Sequence, residues 1–306
     1  MLADIPQDLQ ASVFIATHLP ARSPDYLSEL LAVTSRLPVH EAVDGQPIER
    51  GRAYVAPPDH HLLLMDGVVR LGDGPRENMA RPSIDALFRS AAISFGPRVI
   101  GVVLSGLLND GAAGLGSIKS CGGTAIVQHP LDAEADQMPL AALESVEVDH
   151  VVAARGLAGL LSQVVPSIVT TTHDPSRELR LEVEIAGGSR LGSASLRQIA
   201  DPSAISCPDC HGVLSEVRGS NPLRYRCQIG HAYTAGALMS RSDKMNEAIR
   251  IALRVMEERV TLVERMAADA RCTGRTAVAD LYEARVEEYQ RYATTLQEAA
   301  IALHRS

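Results

Sequence analysis

The sequence has 306 residues, 46% of them hydrophobic and 22% charged, which excludes a disordered or collagen-like chain and fits one large domain plus a smaller one, or two domains. Its 29 lysines and arginines against 37 aspartates and glutamates (29 − 37) give a net charge of −8, which argues against a general nucleic-acid binder. No apolar run approaches the ~18 residues of a membrane span, and the acidic, polar start MLADIPQDLQ is not read as a secretory signal. Five cysteines, two of them in a C-x2-C, fit a reducing cytoplasm and a metal site better than a disulfide framework.

The first half alternates short β-rich runs with helical stretches. Residues 12–17 read as a buried strand, 24–37 as a helix stopped by Pro38, and 53–56 as a strand ended by Pro57 and Pro58. Residues 61–71 form a hairpin pattern turning at Asp66-Gly67. A helix over 84–95 is capped by Ser83, and an apolar strand over 99–105 leads through a glycine-rich turn to a helix near 114–120. A strand over 124–128 and a short helix over 139–144 follow. Unalternating strands separated by helices predict an α/β domain over 1–165, with a doubly wound, mostly parallel sheet covered on both faces. Residues 166–202 read as a linker, with Thr170–Thr172 and 186–189 its most linker-like parts. The alternation L-R-L-E-V-E-I places one half-buried strand at 179–185 inside it.

A small module follows over 203–240, then a helical hairpin over 241–306 with helices at 243–271 and 276–304. The first helix carries the stripe Ile249, Leu253, Met256, Val260, Val263, and the second Leu281, Arg285, Tyr289, Tyr292, Leu296. Gly274 in the break can take the positive φ that ends a helix. The stripes read as a two-helix seam, with a protein partner on the hairpin as the other reading.

Sites in open α/β sheets lie past the carboxyl ends of strands. His18 follows the first strand and Asp110 follows the strand over 99–105. A histidine that moves a proton and an acid that fixes its tautomer are what a hydrolase requires, and Gly106, Gly111 and Gly114 let backbone N–H groups approach an oxyanion. A structural histidine and an ordinary N-D-G turn are the bland readings of the same residues.

The segments A-T-H-L-P (16–20), E-A-V-D-G (41–45), Y-V-A-P-P-D-H-H-L (54–62), R-P-S-I-D-A-L-F-R-S (81–90), V-L-S-G-L-L-N-D-G-A-A-G (103–114) and Q-M-P-L-A-A-L (137–143) carry a more specific signal. Together they resemble the catalytic domain of the CheB-type chemotaxis protein-glutamate methylesterases over residues 5–165. The resemblance implies hydrolysis of glutamyl methyl esters on chemoreceptors by a Ser-His-Asp mechanism. It assigns His18 as the catalytic histidine, Asp110 as the catalytic aspartate, and the backbone N–H of Leu107, where the family has methionine, to the oxyanion hole. The family's nucleophile, a serine in a G-A-S-x-G-G turn after the first strand, has no counterpart here. Met1 to Pro6 resembles the end of the following helix. Ser12 should lie at the far end of its strand, and Ser105 replaces a threonine with no nucleophilic role. The chain as given is therefore expected to be nearly inactive, through an internal start of the sequence or a real loss of the serine. A non-enzymatic signalling adaptor is the alternative. No phosphoacceptor receiver precedes the esterase segment, and Gln137 and His129 replace a family glycine and aspartate.

Cys207 and Cys210 form C-x2-C, and Cys227 and His231 form C-x3-H. Three thiolates and one imidazole suit a closed, structural tetrahedral zinc site, and a segment this short would draw its folding energy from the metal. His211 is a rival fourth ligand. The pattern resembles a zinc ribbon knuckle. Cys121 and Cys272 are expected to be buried, inert thiols.

Overall fold

The computed structural model describes residues 2–20, 26–165, 174–189, 193–240 and 243–303. The expected linker residues Thr170–Thr172, the first residues of the helix expected from 24, and His304 lie outside them. Two compact units divide the chain, Met1–Leu238 and Met239–Ser306.

The elements of the first unit are, in chain order, β1 (Val13–Ile15), α1 (Leu27–Thr34), β2 (Val39–Glu41), β3 (Ala53–Val55), β4 (His61–Met65), β5 (Val68–Gly72), α2 (Ile84–Phe95), β6 (Ile100–Val103), α3 (Ala112–Ser120), β7 (Thr124–Gln128), α4 (Gln137–Ser145), β8 (His150–Val152) and α5 (Leu157–Val164). The architecture is α/β with parallel strands, as expected. The strands nevertheless form two separate three-stranded parallel sheets, β1-β3-β2 and β6-β7-β8, rather than one doubly wound sheet. Alternation along the strands fills both faces. Val13, Ile15, Ala53 and Val55 pack toward α1, while Phe14, Ala16, Tyr54 and Ala56 pack toward the β4–β5 hairpin and α2. In the second sheet Val103, Ala125 and Val127 share a core with Ala92, Leu115, Ile118, Met138 and Ala142 of the flanking helices. The hairpin turns where expected, with both Asp66 and Gly67 at positive φ.

The expected linker is largely structured. It holds α6 (Arg177–Ala186), α7 (Ser193–Ile199) and the start of β9 (Ala200–Ser206), so the strand expected at 179–185 is a helix. The same letters that alternate with period 2 also place Leu179, Glu182, Val183 and Ala186 at helical spacing, and all four are buried. Ser176 caps the helix by accepting the Leu179 N–H at 3.2 Å. The unit closes with β10 (Val213–Val217), β11 (Arg224–Cys227), β12 (Ala232–Thr234) and α8 (Ala235–Met239), whose strands form an antiparallel sheet in the order β12-β11-β10-β9.

The second unit is the expected helical hairpin, α9 (Asp243–Cys272) and α10 (Thr276–Leu303). Arg275 N–H bonds Ala270 O, Gly274 N–H bonds Arg271 O, and Gly274 has φ +71°, a Schellman stop. The stripe on α9 is half-buried as expected, but the covered face of α10 differs. Ala279, Tyr282, Val286, Tyr289, Ala293, Leu296 and Ala300 are covered, while Leu281, Arg285 and Tyr292 are exposed. Small alanines line the seam, and weighting by bulk alone rotates the stripe off them. Cys272 is exposed, contrary to expectation, because it sits in the last turn beside the break; Cys121 is buried.

Candidate active site

His18 lies just past β1 and Asp110 just past β6, and the two side chains meet. His18 Nε2 is 2.7 Å from Asp110 Oδ2. Asp110 is fully buried, whereas the His18 side chain is 36% exposed, so the ring bridges the interior and solvent.

The local sequence explains why a carboxylate can be buried here. Asp110 sits against the N-terminus of α2, accepting the Ile84 N–H at Oδ2 (2.7 Å) and the Asp85 N–H at Oδ1 (3.2 Å), two of the helix's unpaired donors. The Ser83 hydroxyl donates to Oδ1 at 2.9 Å and Asn78 Nδ2 at 3.2 Å. Ser83 holds the expected cap position, but its hydroxyl serves Asp110 instead of the helix. Asp85, in the first turn of α2, returns the arrangement to α3: its Oδ1 accepts Gly111 N–H at 3.0 Å and Gly114 N–H at 2.6 Å. Each helix is thus capped by an acid from the other's entrance. Gly111, at φ +91°, supplies the turn, and a Cβ there would lie 2.9 Å from Ile84 Cγ2.

Burial pushes Asp110 up, but the bond and charge of His18 and the donors of Ile84 and Asn78 more than offset it, leaving the acid at about 2. Burial pushes His18 down, and the Asp110 hydrogen bond and charge, with a contribution from Asp85, reverse this and hold it above its ordinary value. With Asp110 ionised, Nε2 carries the proton donated to it. Nδ1 is left as the basic atom, and no described residue bonds to it.

Leu107 lies in the exposed loop between β6 and α3. Its N–H donates to no described residue, while the neighbouring Leu108 N–H is held by Gln137 Oε1 at 2.8 Å. Gln137 therefore has a role that a glycine could not fill. Among the described residues no serine hydroxyl bonds to His18. Ser12 Oγ donates to Glu49 O, Ser105 Oγ pairs with Ala135, and Ser83 is committed to Asp110.

Three thiols and an imidazole gather in the β9–β12 module. Cys210 Sγ is 3.6 Å from Cys227 Sγ, and His231 Nδ1 is 3.5 Å from Cys227 Sγ and 3.7 Å from Cys207 Sγ. All four ligand atoms lie within 4.8 Å of one another. These are the edge lengths, ~3.6–3.8 Å, of a tetrahedron around zinc with Zn–S ~2.3 Å and Zn–N ~2.0 Å. The rival His211 is exposed and outside the cluster.

Sequence reasoning missed Asn78, Ser83 and Asp85 as partners of Asp110. The R-P-S-I-D run carried the signal, since Ser83 and Asp85 flank a helix start facing the N-D-G turn.

A histidine and a buried acid thus meet past the ends of parallel strands in an α/β protein, the placement that ligand sites take in open parallel sheets. Similarity to known proteins narrows this class. The CheB methylesterase family matches residues 1–161, so the chain belongs to that family. A putative protein-glutamate methylesterase/protein-glutamine glutaminase of Leptospira interrogans is 38% identical over 161 residues, 52% of this chain and 83% of that protein. A protein-glutamate methylesterase/protein-glutamine glutaminase of Pyrococcus horikoshii is 38% identical over 151 residues, 48% of this chain but only 41% of that protein. The crystal structure of the Thermotoga maritima CheB methylesterase catalytic domain superposes with TM-score 0.52 at 30% identity, covering 54% of this chain and 89% of that one. The relatives' second activity, on glutamine, was not anticipated from the sequence. Among the described residues, no helix is long and apolar enough to cross a membrane.

Proposed function

We propose that this chain supplies the base, the acid and the oxyanion loop of a protein-glutamate methylesterase acting on methylated chemoreceptors, with the corresponding glutamine deamidation within reach of the same chemistry. The observation that carries this reading is the 2.7 Å contact of His18 Nε2 with a fully buried, ionised Asp110, which leaves Nδ1 basic. His18 Nδ1 takes the proton of a serine hydroxyl as its oxygen attacks the ester carbonyl. The Leu107 N–H donates to the oxyanion that forms, and Asp110 stays ionised to stabilise the imidazolium. The ring then protonates the departing methoxide oxygen, methanol leaves, and water hydrolyses the acyl-serine by the same route. The attacking serine of the family sits in a G-A-S-x-G-G turn that has no counterpart in this sequence, and among the described residues no serine hydroxyl bonds to His18.

The test is methanol release from methylated receptor, comparing the chain as given with one extended by a strand and a G-A-S-x-G-G turn. The short chain should show at most the ~10³–10⁴ acceleration over water that oxyanion stabilisation and binding provide without a nucleophile. Extension should restore turnover, and His18→Ala in the extended chain should remove it by about 10⁴-fold or more. Equal activity of both lengths, insensitive to His18→Ala, would favour the adaptor reading.

The Cys207, Cys210, Cys227 and His231 cluster is assigned to one structural zinc in a cytoplasmic protein, supported by its tetrahedral ligand spacing. Metal analysis should give close to one zinc per chain. Cys207→Ser should lose it and unfold the β9–β12 sheet, and full zinc retention in that variant would refute the ligand set.

A further inference from the structure

One side chain joins the Cys3His module to the acid pair. Asn78 lies in the loop between β5 and α2 at φ +48°, a region that asparagine tolerates better than most residues. Its backbone N–H donates to Ala232 O at 2.8 Å, and its Oδ1 accepts the Thr234 N–H at 3.0 Å. Both partners belong to β12, which begins directly after His231. With Oδ1 held by Thr234, Nδ2 faces the other way. It donates to Asp85 Oδ2 at 3.0 Å and to Asp110 Oδ1 at 3.2 Å, so each of its two N–H groups serves one carboxylate. Turned by 180°, the same amide would aim a carbonyl at two buried acids. The Thr234 N–H, together with the two acids, holds the amide in the observed orientation.

A second, independent contact pins the neighbouring residue to the same module. Glu77 Oε1 accepts Arg226 Nη2 at 3.0 Å, and Arg226 immediately precedes the ligand Cys227. Glu77 also forms a parallel bridge with Ala232.

We propose that Asn78 is a positioning residue for the acid that holds His18, and that the Cys3His module fixes its amide through the main chain of β12. Metal occupancy of the module then governs whether Asp85 and Asp110 share a donor. The proposal rests on reading His18 and Asp110 as the base and acid of the site. It adds a role for the module that the esterase reading does not require.

The experiment follows the carboxyl carbon of Asp85 by NMR in the full chain carrying ¹³C-labelled aspartate. The groups facing Asp85 are Asp110, Arg89 on its own helix, Arg224 on β11 and His18 past β1, whose own titration lies above 6.5; burial first, then the Asp110 charge, raises Asp85 to about 7, an accessible range. Removing zinc with a chelator should raise the midpoint by about one pH unit, the size of one lost charge-assisted hydrogen bond. Asn78→Gly, which keeps the positive φ and removes the amide, should give the same rise. Zinc removal from Asn78→Gly should then add clearly less than it adds in the native chain, only the part that comes from losing Arg224 on β11. Thr234→Val keeps the backbone N–H but loses two Oγ1 bonds, the one donated to Asn109 and the one accepted from the Ala237 N–H, and should leave the midpoint in place.

An Asp85 midpoint unmoved by zinc removal, additive effects of zinc removal and Asn78→Gly, or an equal shift in Thr234→Val would each overturn the proposal. So would a fall toward 3.8 on zinc removal, since it would mean that the whole fold had opened. If Asn78→Gly fails to fold, zinc removal from the native chain still decides. The readout is a titration and not turnover, so its failure leaves the esterase reading standing, and absent turnover leaves the titration readable.

Discussion

Replacing Glu77 by glutamine should destabilise the first unit by about 3–5 kcal/mol, the cost of breaking a buried ion pair from one side. Glu77 is 2% exposed and divides its oxygens between two fully buried arginines, Oε2 accepting from Arg89 and Oε1 from Arg226 at 3.0 Å. Arg226 also reaches Glu182 Oε1 at 3.1 Å, and Glu182 takes Arg224 on both oxygens at 2.9 and 3.0 Å. Three arginines therefore face two glutamates. Burial pushes Glu77 up, and Arg89 and Arg226 outweigh it to hold the carboxyl below its ordinary range. Each contact near 3 Å is worth about 5 kcal/mol of gross attraction at an effective dielectric of ~20, much of it offset by desolvation. Glutamine keeps the shape but leaves three guanidinium groups against one carboxylate. Arg89 has little reserve, since its Nε and Nη1 already have no partner. At roughly 2–4 °C per kcal/mol for a unit of this size, the melting midpoint should fall by about 10 °C. Tyrosine fluorescence during urea unfolding, beside circular dichroism for the helical hairpin, provides the measurement. Adding Arg226→Met to Glu77→Gln should cost less than the sum of the two single changes, because one orphaned charge goes with it. A loss under about 1 kcal/mol, or strict additivity, would mean that water reaches the cluster and would refute the argument.

Two further outcomes follow from the same packing. Asp110 at about 2, Glu77 and Glu182 are depressed in the fold, so their stabilisation is complete above their unfolded values of 3.8 and 4.5 and fades as pH falls through the folded ones. Asp85, raised from 3.8 to about 7, and His18, raised above 6.5, act the other way and lose stability as pH rises through neutrality. Urea unfolding across pH should therefore peak at mildly acidic pH, and Asp85→Asn should flatten the neutral side; a steady rise to pH 8 in the native chain would contradict this. Gly74→Ala should cost about 1–3 kcal/mol by thermal denaturation, because its Cβ would meet Ile185 O at 2.3 Å and Ala186 O at 2.5 Å, backbone that cannot step aside. Gly219→Ala, at φ +61° with nothing within 4 Å, should cost only about 1 kcal/mol, and a reversed order would discount the close packing of α6.

The strands and helices of the first half were legible because their apolar runs are bounded by Pro, Gly and Asp-Gly turns. The His18–Asp110 pairing was legible because both residues end parallel strands. The separation of the parallel strands into two sheets was not, because pairing between distant strands leaves no local mark. Helix α6 was misread as a strand because R-E-L-R-L-E-V-E-I satisfies both periods, and burial of Glu182 against Arg224 decides for the helix. The Cys207, Cys210, Cys227 and His231 cluster could be read from its C-x2-C and C-x3-H spacing, and the fold brings His231 and not the rival His211 into it. Least legible was the reach of the module back into the site. Asn78 and Thr234 are 156 residues apart, and neither belongs to a chelating or catalytic pattern.

The two buried aspartates, both within reach of Asn78 Nδ2, show how one residue type is shifted in opposite directions by its partners. Asp110 collects five donors, from His18, Ser83, Asn78 and the amides of Ile84 and Asp85. Asp85 collects three, from Asn78 and the amides of Gly111 and Gly114. Two carboxylates this close cannot both ionise freely, so the proton goes to the one with fewer donors. Asp85 rises and Asp110 falls. The consequence reaches the chemistry, because only an ionised Asp110 can keep the proton of His18 on Nε2 and leave Nδ1 basic. The reciprocal capping of α2 and α3 therefore bears on His18: the same contacts that seat two helices against each other determine which acid faces the histidine with its charge intact.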